Sequence, residues 1–79
     1  MVVEETEEEL RSRRARVMGE YARERVQLSR GHVLDERGRR LQPAAYERWR
    51  APHVRRYNEL AAELTEINRR LRELRDEAR

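Results

Sequence analysis

His32 close before Asp35, in "GHVLDERGRR", and His53 beside Pro52 are the residues nearest to catalytic chemistry in this chain. A histidine near a carboxylate is the minimal arrangement for moving protons, but it needs a nucleophile or a polarised group within reach. The chain offers Ser12 and Ser29, no Cys and no Gly-rich phosphate loop. Two histidines without clustered acids also lack the spacing of a zinc site. His32 therefore reads as a surface or capping group and His53 as a packing residue. The expectation is no catalysis, no metal and no cofactor.

The second chemistry is that of arginine. All 19 basic residues are Arg, each a permanently charged planar fork suited to carboxylate and phosphate. Between residues 31 and 58, Arg37, Arg39, Arg40, Arg48, Arg50, Arg55 and Arg56 outnumber Asp35, Glu36 and Glu47. Trp49, Tyr46 and Tyr57 lie among them, and aromatics interleaved with Arg are what single-stranded nucleic acid or a nucleotide stacks on. These arginines with Trp49 form the candidate anion or nucleic-acid contact. Against it, the same aromatics fit the apolar stripe of a helix, and charge runs are usually solvated faces. No zinc-finger, basic-zipper or aromatic-strand motif is present. "LRSRRAR", from Leu10 to Arg16, follows an acidic run and reads as a solvated helix start.

What must position these groups is helical. The chain has 79 residues, 44% charged and 37% hydrophobic, with no Phe and a net charge of +3. That composition suits amphipathic helices with a narrow apolar stripe. A chain so short buries little more than half of its unfolded surface, so its own core is thin and a partner is expected to add burial. The start, "MVVEETEEE", is acidic where a secretory signal is basic and then apolar. No apolar run reaches the roughly 18 residues of a membrane span, and the apolar faces lack the bulky residues of a membrane-surface helix. The expectation is a soluble, cytoplasmic protein without membrane contact.

Helix 1 is expected over about 5–30. Thr6 and Glu9 have the spacing of a capping box, and Glu7, Glu8 and Glu9 favour the positive end of the helix dipole. Leu10, Val17, Tyr21 and Leu28 form its stripe, with Ala15, Met18, Ala22 and Val26 on the adjoining row. Gly31 is expected to stop it in the left-handed conformation. In "DERG", Asp35 first and Gly38 fourth suit a type I turn, giving a tight reversal or minimal ribbon within 31–42. Pro43 suits the first position of helix 2, over about 43–78, with Leu41 and Tyr46 placed for a hydrophobic staple. Pro52 is expected to kink that helix, or to break it into 43–50 and a longer piece from 52. The whole is an all-α antiparallel helical hairpin in one domain, 1–79.

Tyr57, Leu60, Leu64, Ile67, Leu71 and Leu74 alternate steps of three and four, a coiled-coil seam. Glu66 with Arg70, Arg69 with Glu73 and Arg72 with Asp76 are spaced to pair along the exposed face. The seam is either the hairpin's own core or an interface with another chain. Arg70 and Arg75 at its flanks would repel in a parallel pair, which leaves antiparallel association. The expected function is a protein-interaction or oligomerisation module, a homo-oligomer using these six residues as its interface. Nucleic-acid or nucleotide binding through the arginine-rich middle is the alternative.

"VLDERGRRLQPAAYERWR", continuing into "RRYNELAAELTEINRRL", resembles small helical proteins of actinobacterial phages and integrated elements. In these an Asp-x-x-Gly-Arg-x-Leu turn leads through a Pro, an aromatic and a Trp into a leucine-spaced helix. The resemblance covers roughly residues 31–74. It implies a phage or mobile-element origin, a place in the host cytoplasm or virion, and a host or virion protein as partner. It implies no enzymatic activity.

Overall fold

The computed structural model describes residues 4–78, so residues 1–3 and 79 of the expected domain lie outside it. Two helices, α1 (Glu7–Leu28) and α2 (Pro43–Glu77), pack on one another and no strand is formed among the described residues. Arg14 meets Asn68, Tyr21 meets Tyr57, Glu24 meets His53 and Arg30 meets Tyr46. As one partner advances the other retreats, so the pair is antiparallel. The all-α hairpin is long and thin, 57 × 19 × 19 Å. Its radius of gyration is 17.7 Å, where a compact chain of this length would have about 12 Å.

Local chemistry sets the ends of the helices. Thr6 Oγ1 accepts from the Glu9 N–H at 3.1 Å and the Glu9 carboxylate accepts from the Thr6 N–H at 3.3 Å, completing the capping box. α1 stops at Leu28, short of residue 30. The Ser29 N–H reaches the Arg25 carbonyl at 3.0 Å, and its hydroxyl donates to the Val26 carbonyl at 2.8 Å. With these carbonyls already satisfied, Gly31 is not needed as a left-handed stop; among the described glycines only Gly38 has positive φ, at 76°.

Gly38 needs that freedom because of the turn it closes. Its N–H bonds the Asp35 carbonyl at 3.0 Å, while Asp35 Oδ1 accepts from the Arg37 and Arg39 N–H groups, both at 2.9 Å. The Asp35 N–H then pairs with the Arg39 carbonyl at 2.7 Å, and an antiparallel bridge joins Leu34 to Arg40. A type I turn followed by a left-handed Gly is a three-residue hairpin loop. The reversal is therefore a ribbon of minimal length.

Pro43 opens α2 as its first residue, where a missing N–H costs nothing. α2 then runs unbroken through Pro52, so the division into 43–50 and a segment from 52 does not occur. Proline removes one backbone bond, and tertiary contacts on both sides of it hold the helix. Before it, the Tyr46 hydroxyl bonds the Arg30 carbonyl at 2.9 Å; after it, His53 and Tyr57 bond α1.

The core is small. Leu10 and Val17 of α1 meet Leu60, Ile67 and Leu71 of α2, with Tyr21, Leu64 and Leu74 packed around them. Buried polar residues are absent among the described residues.

Candidate functional site

The seam expected as an interface between chains is occupied within this one. Leu60, Ile67 and Leu71 are buried against α1, whereas Tyr57, Leu64 and Leu74 remain partly exposed at its borders. The apolar stripe of α1 fills it because Leu10 and Val17 recur at helical spacing opposite the leucines. Of the six seam residues, a partner can therefore reach only the three border ones.

The two sides of the hairpin differ. On one, ion pairs bridge or brace the helices: Arg56 Nη2 lies 2.7 Å from Glu20 Oε2, and Arg13 contacts Glu5 and lies 3.9 Å from Glu63. Beside them His53 Nδ1 stands 2.6 Å from Glu24 Oε2. An ionised carboxylate only accepts, so Nδ1 carries the proton in this contact. On the other side the helices are bridged by Arg14 Nη1 donating to Asn68 Oδ1 at 3.3 Å, with no ion pair across it among the described residues.

Between these sides Tyr21 and Tyr57 stack with ring centroids 4.6 Å apart and share a hydrogen bond between their hydroxyls at 2.6 Å. That bond, and then burial, holds the Tyr21 hydroxyl above a phenol's ordinary value of about 10. The shift favours the neutral form in the folded chain. Its contribution to stability is therefore full below pH about 10 and is lost as pH rises through the higher folded value. Tyr57→Phe should bring Tyr21 ionisation down, read by phenolate absorbance; an unchanged titration would break this assignment.

The arginines at the tip are of another kind. Arg11, Arg13, Arg56 and Arg69 are taken up by ion pairs, whereas Arg37, Arg39, Arg40, Arg48, Arg50 and Arg55 enter none among the described residues. Of the candidate anion-contacting group, Arg56 alone is paired, with Glu20 and Glu59, among the described residues. Trp49 is half-buried, stacked on Tyr46 at 5.8 Å and tilted against His53 at 4.7 Å. Leu34, on the ribbon, is 55% exposed. His32 is exposed, and the carboxylate of Asp35 is spent on the turn.

Along the outer face of α2, Arg69 binds both Glu73, as its spacing predicts, and Glu66, which the spacing assigned to Arg70. Its hydrogen bond holds the Glu66 carboxyl below the usual glutamate range. No group of three or more metal-ligating side chains occurs among the described residues, and none of their helices is long and apolar enough to cross a membrane. Comparisons with protein-family models, curated proteins and solved structures found no match.

The cross-helix pairing of Glu20 and Glu24 is not legible in the sequence. Each is an ordinary helical acid until the register of α1 against α2 is known. The adjoining row of Met18 and Ala22 was visible in the sequence, but which part of α2 lies beside it was not.

Proposed function

We propose that this hairpin works by binding another protein chain, which supplies burial that its own two helices do not. The observation carrying this reading is surface area. The chain exposes 6608 Å², against about 5,100 Å² for a compact monomer of 9.6 kDa. The excess, about 1,500 Å², is larger than the roughly 800 Å² each partner contributes to a standard interface. Met18 and Val26, large apolar residues on α1, stand 53% and 60% exposed.

The partner is a further copy of the chain or, in the phage or mobile-element setting the resemblance implies, a host or virion protein met in the host cytoplasm. Leu64, half-buried at the border of the seam, belongs to the surface such a partner covers. Leu64→Glu should abolish association. Light scattering of the pure chain reads self-association, and quantitative mass spectrometry of material co-purified from the native cell reads other proteins. Monomeric mass with no protein retained by the unmutated chain would sink the reading.

The unpaired tip arginines favour a second reading, contact with single-stranded nucleic acid or a nucleotide beside Trp49. Trp49 fluorescence would report binding of an oligonucleotide. If Arg37, Arg39 and Arg40 each meet a phosphate, affinity should fall with salt at a log–log slope of about −2. No fluorescence change at low salt would remove this reading.

A further inference from the structure

The two sides of the hairpin also differ in charge. Met18 and Ala22 follow Arg14 at successive steps of four, so the three share a row on α1. On α2, Leu64 and Ala61 stand four and seven residues before Asn68, and Val54 seven before Ala61, so these share a row as well. The Arg14–Asn68 bond shows that the two rows adjoin across the groove between the helices. The surface they form is apolar and open: Met18 is 53% exposed, Ala22 is exposed, and Val54, Ala61 and Leu64 are half-buried.

Its rims are basic. Helical spacing places Arg14 and Arg25 on the α1 side, and Arg50, Arg72 and Arg75 on the α2 side. Arg11 and Glu7 also fall here, paired with each other at 2.7 Å, and Glu47 lies at the margin near the tip.

We propose that this surface, centred on Met18, Ala22, Val54, Ala61 and Leu64, docks an amphipathic helix of another protein whose apolar stripe is flanked by acidic residues. The proposal rests on the protein-binding reading and names the chemistry of the partner. A helix laid in the groove would cover the exposed apolar row and set its carboxylates against arginine rims, bidentate where geometry allows. A second copy fits less well. Two such faces brought together set arginine against arginine, and like charges juxtaposed across an interface are rejected. Nor does the opposite side of a second copy suit, because the carboxylates along the middle of it are already engaged. Glu20 and Glu59 are held by Arg56, Glu24 by His53, Glu63 by Arg13, and Glu66 and Glu73 by Arg69. Nucleic acid would use the arginines but leave the apolar row between them uncovered.

The test uses the full chain and synthetic three-heptad peptides. One carries Leu at the seam positions and Glu at the flanking ones; a second replaces Glu by Lys; a third has the composition of the first in an order without a stripe. Calorimetry should show one acidic peptide bound per hairpin, no binding of the Lys peptide, and at least roughly tenfold weaker binding of the reordered one. Ala61→Glu should weaken binding about tenfold or more, as a charge set within the contact does. Met18→Glu, at an exposed position that does not endanger the fold, should do the same, while Ala62→Glu on the outer face of α2 and the Arg37→Gln, Arg39→Gln, Arg40→Gln triple variant should not.

Absence of binding, equal binding of the Lys or reordered peptide, or loss with the control variants would overturn the proposal. So would a hairpin dimer in light scattering that Met18→Glu dissolves. A chain that retains a protein through Leu64 yet ignores the acidic peptide overturns this inference alone; one that does neither overturns the protein-binding reading with it.

Discussion

Leu60→Ala should destabilise the hairpin by about 2–5 kcal/mol, the range for deleting a fully buried leucine. Leu60 is 0% exposed and belongs to a core of five buried residues among those described, and the register of the cross-helix contacts sets Val17 of α1 nearest to it. A chain of 79 residues has a total stability of roughly 4–12 kcal/mol. The substitution therefore removes a large share of what holds the helices together, and with a thin core there is little else to collapse into the space. Leu74→Ala, at the partly exposed end of the same stripe, removes less burial and should cost clearly less. Urea unfolding followed by far-ultraviolet circular dichroism measures both. A loss below about 1 kcal/mol for Leu60→Ala would show that the helices are not packed through this residue.

Pro52→Ala should act in the opposite direction. Pro52 is exposed and sits inside a continuous helix, where proline costs about 3 kcal/mol relative to alanine through a missing bond and crowding one turn back. Part of that is offset, because proline also restricts the unfolded chain by about 0.4–1 kcal/mol. A net gain of about 2 kcal/mol corresponds to a melting temperature roughly 8–16 °C higher for a domain of this size. The new N–H at position 52 would reach the carbonyl of Arg48. A melting temperature that falls would mean that the backbone imposed by Pro52 suits the contacts Glu24–His53 and Tyr21–Tyr57, and that alanine shifts them.

The features legible in the sequence were those made by neighbours along the chain. Thr6 with Glu9, Asp35 with Gly38 and Pro43 at the start of α2 each depend on backbone geometry within a few residues, so spacing alone identified them. Gly31 was misread because Ser29, one turn after Val26 and Arg25, satisfied the same carbonyls first. Of the two outcomes expected at Pro52, a kink or a break, the break is absent: the cost of proline is local, whereas what opposes a break comes from α1. The seam was legible as a stripe but not as to its occupant. Its leucines would look the same whether they faced α1 or another chain. The same holds for Arg56, which sequence grouped with the free arginines and which the register of the helices brings to Glu20. The candidate docking surface was half visible: the row on α1 could be seen, but the Arg14–Asn68 bond that joins it to α2 spans 54 residues.

The nesting of the cross-helix contacts also has a consequence in time. Arg30 and Tyr46 are 16 residues apart, Glu24 and His53 29, Tyr21 and Tyr57 36, and Arg14 and Asn68 54. Each contact encloses the one before it, so once the inner one forms, the next has only a short further loop to close, and loop closure grows costly only slowly with length. The ribbon at Asp35–Arg39, the innermost of all, is where such a sequence of closures begins. The molecule should thus assemble as a zipper from the tip outward, quickly for its length. It should open from the other end, with amide exchange fastest where Leu10 meets the last turns of α2.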